Sequence, residues 1–117
     1  MDFKKRNWVK VALSVEELGI DEKTVKEVDA EGKMVCIGKH EGSLFAFAQK
    51  CPHAGAFFKD GIIDHAGNVL CPRHRYKFCV KNGRNVSGEG YYLKHWPVEV
   101  REEGVFVGLE AGGWKLF

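Results

Sequence analysis

With 117 residues, 44% of them hydrophobic, and a formal charge of +2, the chain fits one compact domain with one core and leaves no room for a second, catalytic one. Both charge signs are interspersed, which excludes the signature of a nucleic-acid binder or a membrane-surface protein. The charged start Met1-Asp2-Phe3-Lys4-Lys5-Arg6 lacks the apolar run of a signal peptide, and no stretch approaches the roughly 18 apolar residues of a membrane span, so a soluble, cytoplasmic protein is expected.

Apolar and polar residues alternate through Trp8-Val9-Lys10-Val11-Ala12-Leu13, which predicts a half-buried strand. Ser14-Val15-Glu16-Glu17-Leu18-Gly19 reads as a single helical turn closed by its glycine, and no other helix is expected. Residues 33–38 and 43–48 are strand-like runs on either side of His40-Glu41-Gly42, a hairpin whose second arm leads straight to Cys51. Ile62-Ile63-Asp64 and Asn68-Val69-Leu70 flank His65-Ala66-Gly67, a second turn-sized link, and the latter arm ends at Cys71. Further on, Tyr76-Lys77-Phe78-Cys79-Val80 alternates and Lys81-Asn82-Gly83 turns. Residues 93–100 then pair with Val105-Phe106-Val107 across Glu102-Glu103-Gly104. The expectation is an all-β, antiparallel sandwich or barrel of short strands.

Four cysteines, Cys36, Cys51, Cys71 and Cys79, in a chain expected to remain in a reducing compartment favour metal binding over a disulfide framework. Cys51-Pro52-His53 and Cys71-Pro72-Arg73-His74 each put a thiol and an imidazole within one tight turn. Each proline fixes φ and removes a backbone donor, which limits loop motion, and Gly55 permits close backbone approach. One sulfur and one nitrogen per loop suit either tetrahedral zinc or a binuclear centre with both thiolates on one iron and both imidazoles on the other. The long gap between the pairs and the two Cys-Pro turns favour the second.

The spacing Cys-x-His, seventeen intervening residues, then Cys-x-x-His resembles the signature of the Rieske family. Gly55, Asp60-Gly61, Tyr76, Phe78 and the closing hairpin also fall where Rieske-type domains carry comparable features, so the resemblance spans about residues 8–109. It implies a single Rieske domain over residues 1–117, with a cluster-binding subdomain of two loops at about 46–82. It also implies one [2Fe-2S] cluster, with Cys51 and Cys71 on the inner iron and His53 and His74 on the outer one. Ala56 and Arg73 stand where high-potential members carry a bracing disulfide, and Arg75-Tyr76-Lys77 lacks the serine that donates to a bridging sulfide. The resemblance therefore implies a potential near the low end of the Rieske range, about −150 mV. Arg75 in place of the usual glycine, and the absence of a proline from Ser87-Gly88-Glu89-Gly90, are further departures.

The implied function is a single-electron carrier, itself no enzyme: the ferredoxin of a non-haem iron oxygenase system, with a flavin-dependent reductase and a terminal oxygenase as transient partners. Two alternatives are a small Rieske-like subunit of an assimilatory nitrite reductase and a structural zinc module. Cys36 and Cys79 are both expected as small buried hydrophobes in strands, with ligand exchange by Cys79 a minor alternative. His40 and His65 are expected as solvated turn residues and His95 as a surface or packing residue. For the adjacent pair Phe57 and Phe58 two readings stand side by side, one ring exposed for transient docking or both packed under a loop, and Trp8, Trp96 and Trp114 are expected to serve the core and chain end.

Overall fold

The computed structural model describes residues 6–52, 56–59, 61–71, 76–86 and 91–110. Strand β1 (Arg6–Ala12) and helix α1 (Val15–Leu18) are followed by β2 (Val25–Ala30), β3 (Lys33–His40) and β4 (Ser43–Ala48). The short hairpin β5 (Asn68–Leu70) and β6 (Lys77–Cys79) comes next, then β7 (His95–Trp96), β8 (Val98–Arg101) and β9 (Gly104–Glu110). All pairings between these strands are antiparallel. They form a three-stranded sheet in the order β1-β9-β8, a four-stranded sheet in the order β2-β3-β4-β7, and the two-stranded β5-β6. The all-β antiparallel expectation is met, and α1 is the one helix among the described residues. No helix there is long and apolar enough to cross a membrane.

The single helical turn forms for the reasons its sequence suggests. Ser14 Oγ accepts the Glu17 N–H at 3.0 Å, and the Glu17 carboxylate accepts the Leu13 N–H at 2.6 Å. This reciprocal pairing satisfies backbone donors that a helix start leaves open. Gly19 ends the turn in the left-handed region.

The four-stranded sheet is covered on both faces. Val35, Ile37 and Ala46 pack with Val9, Val105 and Val107 of the three-stranded sheet. From the other face, Cys36 and Phe47 pack with Ile63, Val69 and Phe78 of the hairpin layer. That is why β3 reads as a continuous apolar run instead of alternating, the pattern a strand shows when neither side meets water.

Gly38 marks where the hairpin layer comes closest to this sheet. A Cβ built there would lie 2.5 Å from Ile63 Cδ1 and 3.1 Å from the Phe47 ring. Both neighbours are fully buried and cannot retreat. Gly38→Ala is expected to cost about 1–3 kcal/mol by overpacking. Adding Ile63→Val, which removes the obstructing methyl, should recover part of that loss in a denaturant-unfolding double-mutant cycle. Additive costs would contradict the contact.

Three expectations need correction. Residues 93–100 are not one strand: Pro97, which has no N–H, separates β7, paired with β4, from β8, paired with β9. The Pro97 carbonyl accepts the Gly108 N–H at 2.9 Å, so the chain changes sheets without wasting that acceptor. Strand β2 was not anticipated, because Val-Lys-Glu-Val-Asp-Ala is rich in charge; it lies at a sheet edge, where charge is tolerated. His40 is not a solvated turn residue. It is the last residue of β3, 5% exposed, and the turn is Glu41-Gly42, both at positive φ. Glu22 holds that turn by accepting the N–H groups of Glu41 and, at 3.1 Å, Gly42.

Candidate metal centre

The two cysteine loops are built alike. Lys50 bridges Phe57 and Leu70 pairs with Lys77, so each pair encloses six residues, 51–56 and 71–76, of which a cysteine is the first and a proline the second. The Cys51 N–H donates to the Ala56 carbonyl at 2.8 Å, and the Cys71 N–H donates to the Tyr76 carbonyl at 2.7 Å. First residue bonds to sixth in both, which pins each cysteine at the mouth of its loop.

Both cysteines are buried, Cys51 at 2% and Cys71 at 0% exposure, in one core cluster with Phe47, Phe58 and Phe78, and neither forms a disulfide. His53 and His74, the other two members of the expected quartet, lie outside the described residues, as do Gly55, Asp60, Arg73, Arg75, residues 87–90 and Trp114. The structure thus brings together the two predicted sulfur ligands.

Three aromatic rings share the core cluster with them. Phe58 is fully buried and meets Phe47 edge-on at 5.7 Å and Phe78 edge-on at 6.2 Å between ring centroids. Its N–H donates to the Gln49 carbonyl at 3.0 Å, tying the first loop's return arm to its approach. Phe57 points the other way: it is 43% exposed, with Lys50 Nζ 5.2 Å from its ring centroid, which decides between the two readings of this pair in favour of one exposed ring.

The other two cysteines are placed away from this chemistry. Cys36 lies in mid-strand on β3, paired with Glu27 and Phe47, and burial, aided by Glu27, pushes its thiol up to about 12. It therefore stays protonated at neutral pH and is a poor metal ligand. Cys79 is half-buried opposite Asn68 and not fully buried as expected, because Phe78 takes the core-facing side of that short strand; Leu70 and Lys77 flank the second loop, which leaves Cys79 two residues, about 7 Å, down the strand.

Sequence reasoning missed Asp64. Its carboxylate accepts the N–H groups of Ala66 at 3.0 Å and Asn68 at 2.9 Å and approaches Lys77 Nζ at 3.8 Å. Burial alone would raise its pKa, but the backbone hydrogen bonds from Asn68 and Ala66, with Lys77 nearby, hold it below the usual range. It thereby ties the turn ahead of β5 to the strand that follows the second loop. The signal was present in Asp-His-Ala-Gly-Asn, since an aspartate commonly binds the backbone two residues on.

The donor chemistry fits an iron–sulfur group. Two soft sulfur donors are held buried at matching loop mouths, in one apolar cluster with three aromatic rings, and soft thiolates select iron–sulfur clusters, zinc or copper(I) among metals. The backbone closures orient both cysteines without the metal.

Comparison with known proteins narrows that choice. The family model described as the Rieske [2Fe-2S] domain matches residues 7–96. The ferredoxin component of a naphthalene 1,2-dioxygenase system from Pseudomonas aeruginosa is 30% identical over 91 residues, which cover 77% of this chain and 86% of that protein. The ferredoxin component of an alkene monooxygenase system from Xanthobacter autotrophicus is 29% identical over 76 residues, 65% of this chain and 62% of the relative's length. Among solved structures, the complex of reduced oxygenase and oxidized ferredoxin in carbazole 1,9a-dioxygenase contains a chain similar at TM-score 0.74 and 24% identity, over 90% of this chain and 96% of that one. A Mycobacterium tuberculosis protein assigned as an NADH-dependent nitrite reductase small subunit gives TM-score 0.77 and 21% identity, over 92% and 98% of the two chains. At such identities the structural likenesses establish the fold. The family match over most of the chain, together with a relative aligned along most of its own length, establishes more: the chain belongs to the Rieske [2Fe-2S] domain family.

Proposed function

We propose that the protein is a single-electron carrier holding one [2Fe-2S] cluster within residues 46–82, with Cys51 and Cys71 on the inner iron and His53 and His74 on the outer one. The observation that carries this reading is the matched construction of the two loops, each with its buried cysteine's N–H bonded to the carbonyl of the loop's sixth residue. The ferredoxin components among its relatives support the further step that electrons come from a flavin-dependent reductase and go to a non-haem iron oxygenase. The reading places the protein in the cytoplasm, with no substrate of its own and no nucleic-acid or membrane partner.

A Rieske cluster supplies one-electron exchange at a potential above that of all-cysteine clusters. Two ferric ions, two sulfides and two thiolates sum to zero charge, so an added electron leaves one negative charge where four thiolates would leave three. The chain's own part is to bury both cysteines in an apolar cluster and to close each loop with a backbone hydrogen bond. In this reading the two imidazoles would give the electron its exit and couple it to a proton.

The nitrite reductase subunit shares the fold to a comparable degree, but the relatives with 29–30% sequence identity are oxygenase ferredoxins, which favours the carrier reading. The family match likewise favours iron and sulfide over zinc. The deciding experiment is absorption and low-temperature EPR before and after dithionite. The expected result is a coloured protein that bleaches on reduction and then gives the EPR signal of a one-electron-reduced iron–sulfur cluster. A colourless protein with stoichiometric zinc would overturn the assignment. In the same assay, His53→Cys or His74→Cys should lower the potential by about 100 mV or more, or lose the cluster, since each restores a thiolate's negative charge. An unchanged spectrum and potential in both would remove the two histidines from the ligand set.

A further inference from the structure

Charge is unevenly divided along the chain. Residues 46–82 hold six Lys/Arg against two Asp, a net of four positive charges; the remaining residues hold twelve Lys/Arg against fourteen Asp/Glu, a net of two negative. A nearly neutral protein therefore carries a basic segment, and it is the one with both cysteine loops.

Strand register places some of these charges. Lys50 precedes Cys51, bridges Phe57 and reaches over its ring. Lys77 pairs with Leu70 at the base of the second loop, and its carbonyl accepts the Val86 N–H at 2.9 Å, so Val86 stands at that same end. Lys59 follows Phe58 and is exposed. Phe57 is 43% exposed and Val86 48%. Each cysteine loop thus has an exposed apolar side chain and a lysine at its base.

An apolar centre with a charged rim is the anatomy of a transient protein interface, where rim charges steer encounter more than they hold the complex. We propose that the face bearing Phe57 and Val86, rimmed by Lys50, Lys59 and Lys77, docks an acidic, carboxylate-lined patch on the redox-partner protein. This rests on the electron-carrier reading. A nucleic-acid partner would leave the two exposed apolar side chains unexplained.

The test uses the reduced holoprotein in a stopped-flow instrument with two small oxidants of opposite charge. Ferricyanide takes one electron per protein to become ferrocyanide; hexaamminecobalt(III) takes one to become cobalt(II). Raising salt from about 10 to about 300 mM should slow the first reaction about tenfold and quicken the second. Lys50→Glu and Lys59→Glu, made singly, should each flatten the ferricyanide salt dependence. Lys10→Glu, the same charge change on β1 across the sandwich, should leave it intact. Calorimetric titration with redox-inert hexacyanocobaltate(III) should show weaker binding to the first two variants than to the wild type or Lys10→Glu. The opposite salt dependences, an equal effect of Lys10→Glu, or tighter binding of a single-stranded DNA oligonucleotide than of hexacyanocobaltate(III) would overturn the proposal. A colourless protein would instead overturn the carrier reading and the redox nature of the partner, while calorimetry still decides whether the face selects anions.

Discussion

Cys71→Ser is expected to yield a folded, colourless protein whose iron and acid-labile sulfide fall to about a tenth of the wild-type content or less. Cys71 is fully buried at the mouth of its loop, and its backbone N–H bond to Tyr76 survives the substitution, so the loop keeps its closure while losing its sulfur. A hydroxyl is a far poorer ligand for ferric iron than a thiolate, and three remaining donors leave one iron undercoordinated. Cys36→Ala is the matching control. Cys36 is equally buried, yet its thiol is held protonated in mid-strand, so its loss should cost packing energy of about 1 kcal/mol and leave the spectrum unchanged. Iron and sulfide analysis with EPR on both variants checks this pair. Wild-type content in Cys71→Ser, or a lost spectrum in Cys36→Ala, would reassign the ligands.

Phe58→Ala should be the most damaging apolar substitution, destabilising the fold by about 3–5 kcal/mol. Phe58 is fully buried between Phe47 of the four-stranded sheet and Phe78 of the hairpin, so its removal opens a cavity where two layers and the first cysteine loop meet. The adjacent Phe57→Ala removes a ring that is 43% exposed and should cost no more than about 0.5 kcal/mol. Urea unfolding of the two variants gives the comparison directly. Similar losses would mean that the division between a core ring and a surface ring is wrong. On the proposed ligand set, Phe58→Ala should also shed the cluster faster on dilution, because Phe58 belongs to the apolar cluster that buries both cysteines.

Much of this protein is legible in its sequence alone. Ser14-Val-Glu-Glu-Leu-Gly specifies its helical turn by local hydrogen bonds alone, and the alternation in residues 8–12 follows from one face meeting the core. The arms leading to Cys51 and Cys71 were likewise readable, because strand runs and turn residues act over a few positions. The identity and spacing of Cys51, His53, Cys71 and His74 are properties of the sequence itself, and they pointed to the family that the comparisons then established.

What the sequence did not disclose depends on which surfaces meet. Strand β2 is too polar to look like a strand, and it forms because β3 offers it a full antiparallel partner at a sheet edge. His40 looks like a turn residue until Gly67 is found against its ring. Nothing local to residues 93–100 says that Pro97 hands the chain from one sheet to another. The chain by itself determined the local turns, the strand periods and the ligand types, since each is decided by neighbours a few bonds away. Only the tertiary structure decided that Phe58 and both cysteines share one core cluster, that Ile63 fills the place of a missing Cβ at Gly38, and that two distant loops close in the same way. These are contacts between segments far apart in sequence, where burial and shape, not local preference, select the partner.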